Sequence, residues 1–190
     1  EAFLSSTHRT NDGCKLSDGR YLIGTMHQYA PEMNTGAVFL IDPDGTVTLL
    51  FDDIYIPNTF VDLRNGDVLI TDSHTGTIFL CKIGASGKSC KRALWHQTWP
   101  GIAPDGGCRL TDEYIAIAMW DGACIMVFEE SGRAIAELTV PAKRPTNVKF
   151  RMTDASMWIT SACEGLTEPE MNDYPLSGKT FCVNDPLAAI

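Results

Sequence analysis

Short apolar runs of four to seven residues, rich in Val, Ile, Phe and Tyr, recur along the chain, with Gly, Asp and Asn between them. Runs of this length bounded by turn residues are strands. One stretch predicts strands over 60–63, 67–71, 77–83 and 90–94, and the next over 107–110, 114–119, 124–128 and 134–140. A last stretch predicts three, over 149–151, 157–161 and 179–183. Asp18-Gly19, Asp44-Gly45, Asn65-Gly66 and Asp121-Gly122 are predicted hairpin turns, because Gly supplies the positive φ that such turns need. No window has convincing helical periodicity except one turn over 168–172.

The runs are organised as a repeat. Asn11-Asp12-Gly13, Asn58-Thr59-Phe60, Asp105-Gly106-Gly107 and Asn147-Val148-Lys149 follow one another at steps of 47, 47 and 42 residues. A second marker keeps register with the first: Gly24-Thr25-Met26, Thr71-Asp72-Ser73, Ala118-Met119-Trp120 and Thr160-Ser161-Ala162. Units of this period holding four strands each are blades of a β-propeller. The predicted fold is therefore all-β, with about four blades in a single propeller domain over 1–190. The last blade shows three strands, and a ring of six such blades needs roughly 280 residues. The chain is thus expected to lack N-terminal blades.

Composition narrows the chemistry. The 24 acidic residues against 15 basic ones give a formal net charge of −9, and no basic stripe carries interleaved aromatics. Such a surface repels phosphate backbones, so no nucleic-acid partner is expected. No run reaches the roughly 18 apolar residues of a membrane span, and the first residues do not form a signal peptide. Seven scattered cysteines, with no Cys-x-x-Cys pair, argue against a zinc site or a secreted disulfide framework. Buried thiols acting as small hydrophobes in a reducing cytoplasm are expected instead.

Equivalent positions in a radial repeat point at one axis. Asn11, Asn58, Asp105 and Asn147, each at the predicted start of an innermost strand, would bring four oxygen-bearing side chains together there. Asn and Asp also open strands simply as turn residues, and it is the repeat that favours convergence. Carboxylate and amide oxygens are hard ligands suited to Ca²⁺, Mg²⁺ or Mn²⁺. Asp72 and Asp121, after the second strands, are expected to bond backbone within their blades, and Met26, Met119, Trp120 and Trp158 to fill core between blades. Gly84 to Ser89 lacks the Gly and the following helix of a phosphate loop, and reads as a turn between strands.

Arg9-Thr10-Asn11-Asp12-Gly13, Asp18-Gly19-Arg20-Tyr21 and Gly24-Thr25-Met26 together resemble the opening block R-x-N-D-G … G-R-[FY]-W-x-G-T-M of one family. It is the regucalcin (senescence marker protein), gluconolactonase and luciferin-regenerating enzyme family. Ile56-Pro57-Asn58 is similar to its I-[SP]-N-G segment, and Pro104-Asp105-Gly106 to its P-D-G segment. Arg144-Pro145-Thr146-Asn147, Trp158 to Ala162, Gly165-Leu166 and Pro175 to Gly178 are similar to its closing blades. The resemblance runs from Arg9 onward. It implies a six-bladed propeller with one divalent cation on its axis (Ca, Zn, Mn or Mg), and carries metal-ligand roles to Asn58 and Asp105. The family's third ligand, a Glu of the first blade, has no counterpart here. Arg9 and Asn11 are implied contacts to a sugar lactone.

An acidic contact that usually follows G-T-M is not matched, because the loop reads His27-Gln28-Tyr29-Ala30-Pro31-Glu32. Glu32 would serve only in a shortened loop, and His27 is expected to be a solvated loop histidine. The implied activity is a metal-dependent lactonase, with Asp105 as ligand and general base for the attacking water. A non-catalytic calcium-binding or protein-interaction propeller is the alternative. The lactone, the ion and the oligomeric state stay open.

Overall fold

The computed structural model describes residues 4–189. The chain divides into two compact units, one ending at Thr98 and the other beginning at Trp99. In the first unit, β1 (His8–Lys15), β2 (Tyr21–His27), β3 (Gly36–Ile41) and β4 (Val47–Ile54) form one sheet. The second sheet consists of β5 (Pro57–Asp62), β6 (Val68–Asp72), β7 (Thr77–Ile83) and β8 (Cys90–Gln97). Each sheet is an antiparallel meander in sequence order, as a propeller blade requires.

The second unit repeats the plan. Its first blade consists of β9 (Ala103–Arg109), β10 (Tyr114–Trp120), β11 (Cys124–Glu129) and β12 (Ala134–Thr139). The next has the three expected strands, β13 (Arg144–Arg151), β14 (Ser156–Ala162) and β15 (Thr180–Asn184). The fold is thus all-β, and each sheet has the build of a propeller blade. A short helix α1 (Glu168–Asp173) stands between β14 and β15, and a 3₁₀ turn, Pro186–Ala189, follows β15. Among the described residues no helix is long and apolar enough to cross a membrane.

The strands that lie second in each blade explain the packing. All of β6 is buried, and so is β10 from Ile115 to Met119. Side chains alternate between faces, so such a strand needs cover on both sides of its sheet. In the first unit Leu22, Val38 and Leu40 of one blade share a cluster with Phe60, Val68 and Ile70 of the other. In the second, Ala116, Ala118, Ile125 and Val127 share one with Val148, Met157 and Ile159.

Several expectations change. The innermost strands β5, β9 and β13 begin before their predicted starts, at Pro57, Ala103 and Arg144, because a β-bulge interrupts the alternation within each. Gly19, Gly45 and Gly66 carry positive φ as expected, whereas at Asp121-Gly122 the positive φ falls on Asp121 and Ala123. Met26 and Met119 are buried. Trp158 is 43% exposed, its indole donating to Ser156 Oγ at 3.1 Å, so it is not core. Trp120 is half-buried beneath the Arg144 guanidinium, 4.9 Å from its ring. Of the seven cysteines only Cys81 and Cys124 are buried. Cys163 and Cys182 are exposed, Cys182 because it lies on the outer strand of a three-stranded sheet.

Helix α1 is held by charge and capping. Thr167 and Glu170 form a capping box, with the Glu170 carboxylate accepting from Thr167 N at 2.8 Å. Lys143, just before β13, donates to the same carboxylate. The Lys143 contact, then the Thr167 donors, hold the Glu170 carboxyl down at about 2, from an ordinary value of 4.5. Its contribution is therefore full above about pH 4.5 and is lost as the pH falls towards 2. Thermal unfolding of Glu170→Gln beside the unsubstituted chain checks this: the gap in midpoint is expected at pH 7 and closes by about pH 2.

Candidate functional site

In the first unit the candidate residues gather where β1 meets β5. The bulge in β1 lies between Thr10 and Gly13, so Asn11 and Asp12 leave the ladder with β2. Asn11 Nδ2 donates to Pro57 O at 3.1 Å and its Oδ1 accepts from Arg9 Nη1 at 2.8 Å, while Arg9 Nη1 also donates to Thr10 O at 2.9 Å. Arg9 is exposed, and its guanidinium is anchored through one nitrogen. Asn11 ties two innermost strands together and aims Arg9. It is thus more than the strand-opening turn residue its type suggests.

Asn58 lies inside β5, beside a bulge between Asn58 and Val61, and is 7% exposed. Its Oδ1 accepts from Thr59 N at 3.2 Å. Thr59 is fully buried with φ of 48°, a left-handed conformation rare for a β-branched residue and strained by about 1–3 kcal/mol. The sequence reading missed this strain, although its signal was present: the similar family segment has Gly where Thr59 stands.

Asp72 sets the approach to Asn58. Its carboxylate accepts from Tyr55 N at 3.1 Å, Ile56 N at 3.2 Å and His74 N at 3.1 Å. Three backbone donors fix the turn that delivers Pro57 and Asn58, as expected of an aspartate that bonds backbone. Gly24 makes room for the same segment, since a Cβ there would lie 2.7 Å from Pro57 Cγ and 2.9 Å from the Phe60 ring.

Asp105 belongs to the second unit, half-buried in β9, where the ladder with β10 is bulged between Pro104 and Gly107. Gly106 receives the Asn147 side chain, and a Cβ on Gly106 would fall 2.3 Å from Asn147 Cγ. Asn147 Oδ1 accepts from Val148 N at 2.8 Å, the counterpart of the Asn58 contact two blades earlier. Asp121 does not bond backbone as expected: it accepts from Arg144 Nε at 2.7 Å, and Arg144 also donates to Glu164 O. Arg144 needs a counter-charge where it packs on Trp120, and Asp121 supplies it.

The loop 28–35 is long and largely exposed, with Glu32 in solvent. His27 ends β2, and its Nδ1 accepts from Ala30 N at 2.9 Å and Tyr29 N at 3.3 Å, so this histidine organises the loop. The segment from Gly84 to Ser89 is the β7–β8 turn, closed by Gly84 N to Ser89 O at 2.9 Å.

An amide oxygen and a carboxylate are donors of the type Ca²⁺ or Mg²⁺ takes. Asn58 in the first unit and Asp105 in the second are each a donor of that kind. Among the described residues, no three His, Cys, Asp or Glu side chains group so as to hold a metal.

Residues 3–163 match the SMP-30/Gluconolactonase/LRE-like region, and the chain belongs to that family. It is 31% identical over 185 residues to regucalcin of Xenopus laevis, covering 92% of this chain and 61% of that protein. It is 28% identical over 165 residues to a pentonolactonase of Haloferax volcanii, covering 84% of this chain and 55% of that enzyme. Among solved structures, the calcium-binding protein regucalcin of Agrobacterium tumefaciens superposes with a TM-score of 0.84 at 28% identity, over 93% of this chain and 61% of that one. The chain thus spans about three fifths of the length of the regucalcins it matches.

Replacing Asp72 by Ala strands three amide donors and is expected to destabilise the first unit by about 2–5 kcal/mol. Asp72→Asn, which keeps an acceptor, is expected to lose less when both variants are unfolded in urea. Gly106→Ala is expected to lose about 1–3 kcal/mol by overpacking against Asn147. Combining it with Asn147→Ala removes the obstruction, so a double-mutant cycle is expected to show coupling of about 1 kcal/mol or more.

Proposed function

We propose that this chain carries part of the site of a divalent-metal-dependent lactonase that opens a sugar lactone. One observation supports the reading above all: the family match spans Arg9, Asn11, Asn58 and Asp105, each of which belongs to a motif resembling the family's own. All four lie on first strands of blades, and a bulge interrupts each of those strands.

The roles follow from each group. A divalent cation, when bound, supplies polarisation of the lactone carbonyl and charge for the oxygen that becomes anionic. Asn58 and Asp105 would hold it with their side-chain oxygens. Asp105 also takes the proton of the attacking water as general base. Arg9, anchored through Nη1, offers the rest of its donor fork to substrate hydroxyls or the ring oxygen. Asn11 keeps Arg9 aimed and contributes its amide to the lactone-binding edge.

A second reading, a non-catalytic cation-binding or protein-interaction propeller, draws on the donor count. Among the described residues no three His, Cys, Asp or Glu side chains group so as to hold a metal, and the loop after Met26 presents His27 where the related proteins' acidic contact is expected.

Proton release from a panel of aldonolactones, with and without chelator, separates the two. It is run on this chain and on a form extended at the N terminus, with calorimetric titration of Ca²⁺, Mn²⁺ and Zn²⁺ alongside. Chelator-sensitive turnover that falls about 10²–10⁴-fold in Asp105→Asn is the expected result. Cation binding without turnover in either form would move the assignment to the second reading. Neither binding nor turnover would overturn the lactonase reading and the cation-binding form of the second, leaving the protein-interaction form.

A further inference from the structure

Blade two of the first unit contains a pair of thiols that the lactone chemistry does not use. In the β7–β8 ladder Cys81 pairs with Arg92 and Ile83 with Cys90, so Cys81 and Cys90 are diagonal neighbours on one face of the sheet. That face is the inner one: Cys81 is part of the first unit's apolar cluster, and Cys90 packs against it while remaining half-buried. Each thiol acts on the other's titration, Cys81 being held protonated and Cys90 drawn towards the thiolate. Arg92, two residues beyond Cys90, lies close enough to favour a thiolate there, its own guanidinium held by Asp53 at 2.6 Å and lying 4.3 Å from the Phe51 ring centroid.

The other cysteines differ. Burial pushes the Cys108 and Cys124 thiols up to about 11, and Cys163 and Cys182 are exposed. At Cys90 the neighbouring Cys81 thiol, ahead of the Arg92 charge, draws the thiol below its ordinary range, and at Cys81 the Cys90 sulfur and burial keep the proton on. Low-pKa, partly accessible thiols beside a second cysteine are the ones that oxidise reversibly.

We propose that Cys81 and Cys90 form a reversible redox pair, in which Cys90 reacts with a peroxide and Cys81 closes the disulfide. The Cys90 thiolate attacks one peroxide oxygen, the O–O bond breaks, hydroxide leaves, and Cys90 becomes a sulfenic acid. The Cys81 sulfur then displaces the sulfenic hydroxyl, which leaves as water with the Cys81 proton. The two sulfurs together lose two electrons and the peroxide gains them.

Diagonal Cα atoms across a ladder stand about 7–8 Å apart, beyond the roughly 4.4–6.8 Å of an unstrained disulfide. The strand must therefore shift slightly. Cys90 is placed for this: it is the first residue of β8 and directly follows the Gly84–Ser89 turn, where Gly87 has φ of 69°. A strained bond of this kind is readily reduced, which makes the pair reversible rather than a permanent staple.

The test treats the full chain with one equivalent of hydrogen peroxide, alkylates remaining thiols after denaturation, and maps peptides without reduction. The expected product is a linked peptide joining Cys81 to Cys90, lighter by two hydrogens and released by reduced glutathione. In Cys81→Ala, dimedone is expected to trap a sulfenic acid at Cys90. Linkage of Cys90 to Cys14, which packs against the same cluster, would overturn the pairing. Modification of Cys163 and Cys182 with Cys81 and Cys90 both alkylated would overturn the proposal altogether. The map of the unsubstituted chain decides between these outcomes even if the variant fails to fold.

Discussion

Everything in each unit depends on strands that are apolar on both faces. A sheet whose second strand reads Tyr-Ile-Ala-Ile-Ala-Met-Trp, buried from Ile115 to Met119, exposes apolar surface to both sides. It is stable only when something packs against each face. Within a unit the neighbouring blade provides one of those covers. Burial at roughly 25 cal/mol per Å² of apolar surface then favours close approach of the sheets. Close approach is what selects the small residues: Gly24 opposite Pro57 and Phe60, and Gly106 opposite Asn147. The motif glycines are thus packing requirements first.

The same closeness determines where the polar chemistry can go. A side chain in register on a doubly covered strand points into apolar packing, where an unpaired polar group costs about 1–3 kcal/mol. A bulge releases one or two residues from the ladder and turns their side chains elsewhere. The first strand of each blade has such a break, next to Asn11, Asn58, Asp105 and Asn147. Asp72 then secures the chain before Asn58 through three backbone donors, and Asp121 secures Arg144 at the entry to β13. The supporting charges are themselves satisfied, and among the described residues no buried side-chain polar atom lacks a partner.

Most of the strand plan was legible because turns and apolar runs alternate on a regular period, and 77–83 was delimited to the residue as β7. The innermost strands were less legible, since a bulge breaks the period-two pattern at the residues that matter, and Pro57, Ala103 and Arg144 then fall outside the predicted strands. Trp158 was misread because alternation identifies which residues share a face but not whether another element covers that face. Asp121 was misread because its partner, Arg144, lies on the following blade, a contact no local pattern carries. The candidate residues themselves were found by repeat and resemblance. Their hydrogen bonds, such as Asn11 to Pro57, depend on tertiary placement and left no trace in the sequence.

Thr59 shows what the bulges make possible. Left-handed backbone at a buried, β-branched residue persists only where the surroundings over-determine it. Here Phe60 and Val61 are fixed in the core on one side, and Pro57 is fixed by Gly24 and Asn11 on the other. The chain between them has one extra residue to accommodate, and Thr59 takes the strained conformation. In that conformation its N–H meets the Asn58 side-chain oxygen and holds the amide in one orientation. An amide oxygen fixed in this way has lost its rotational freedom during folding, so a ligand meeting it has less entropy to overcome on binding. Asn147 reaches the same contact with Val148 two blades later, beside its own bulge and without left-handed backbone at Val148. The contact therefore does not require strain, and the strain at Thr59 belongs to the packing on either side of it.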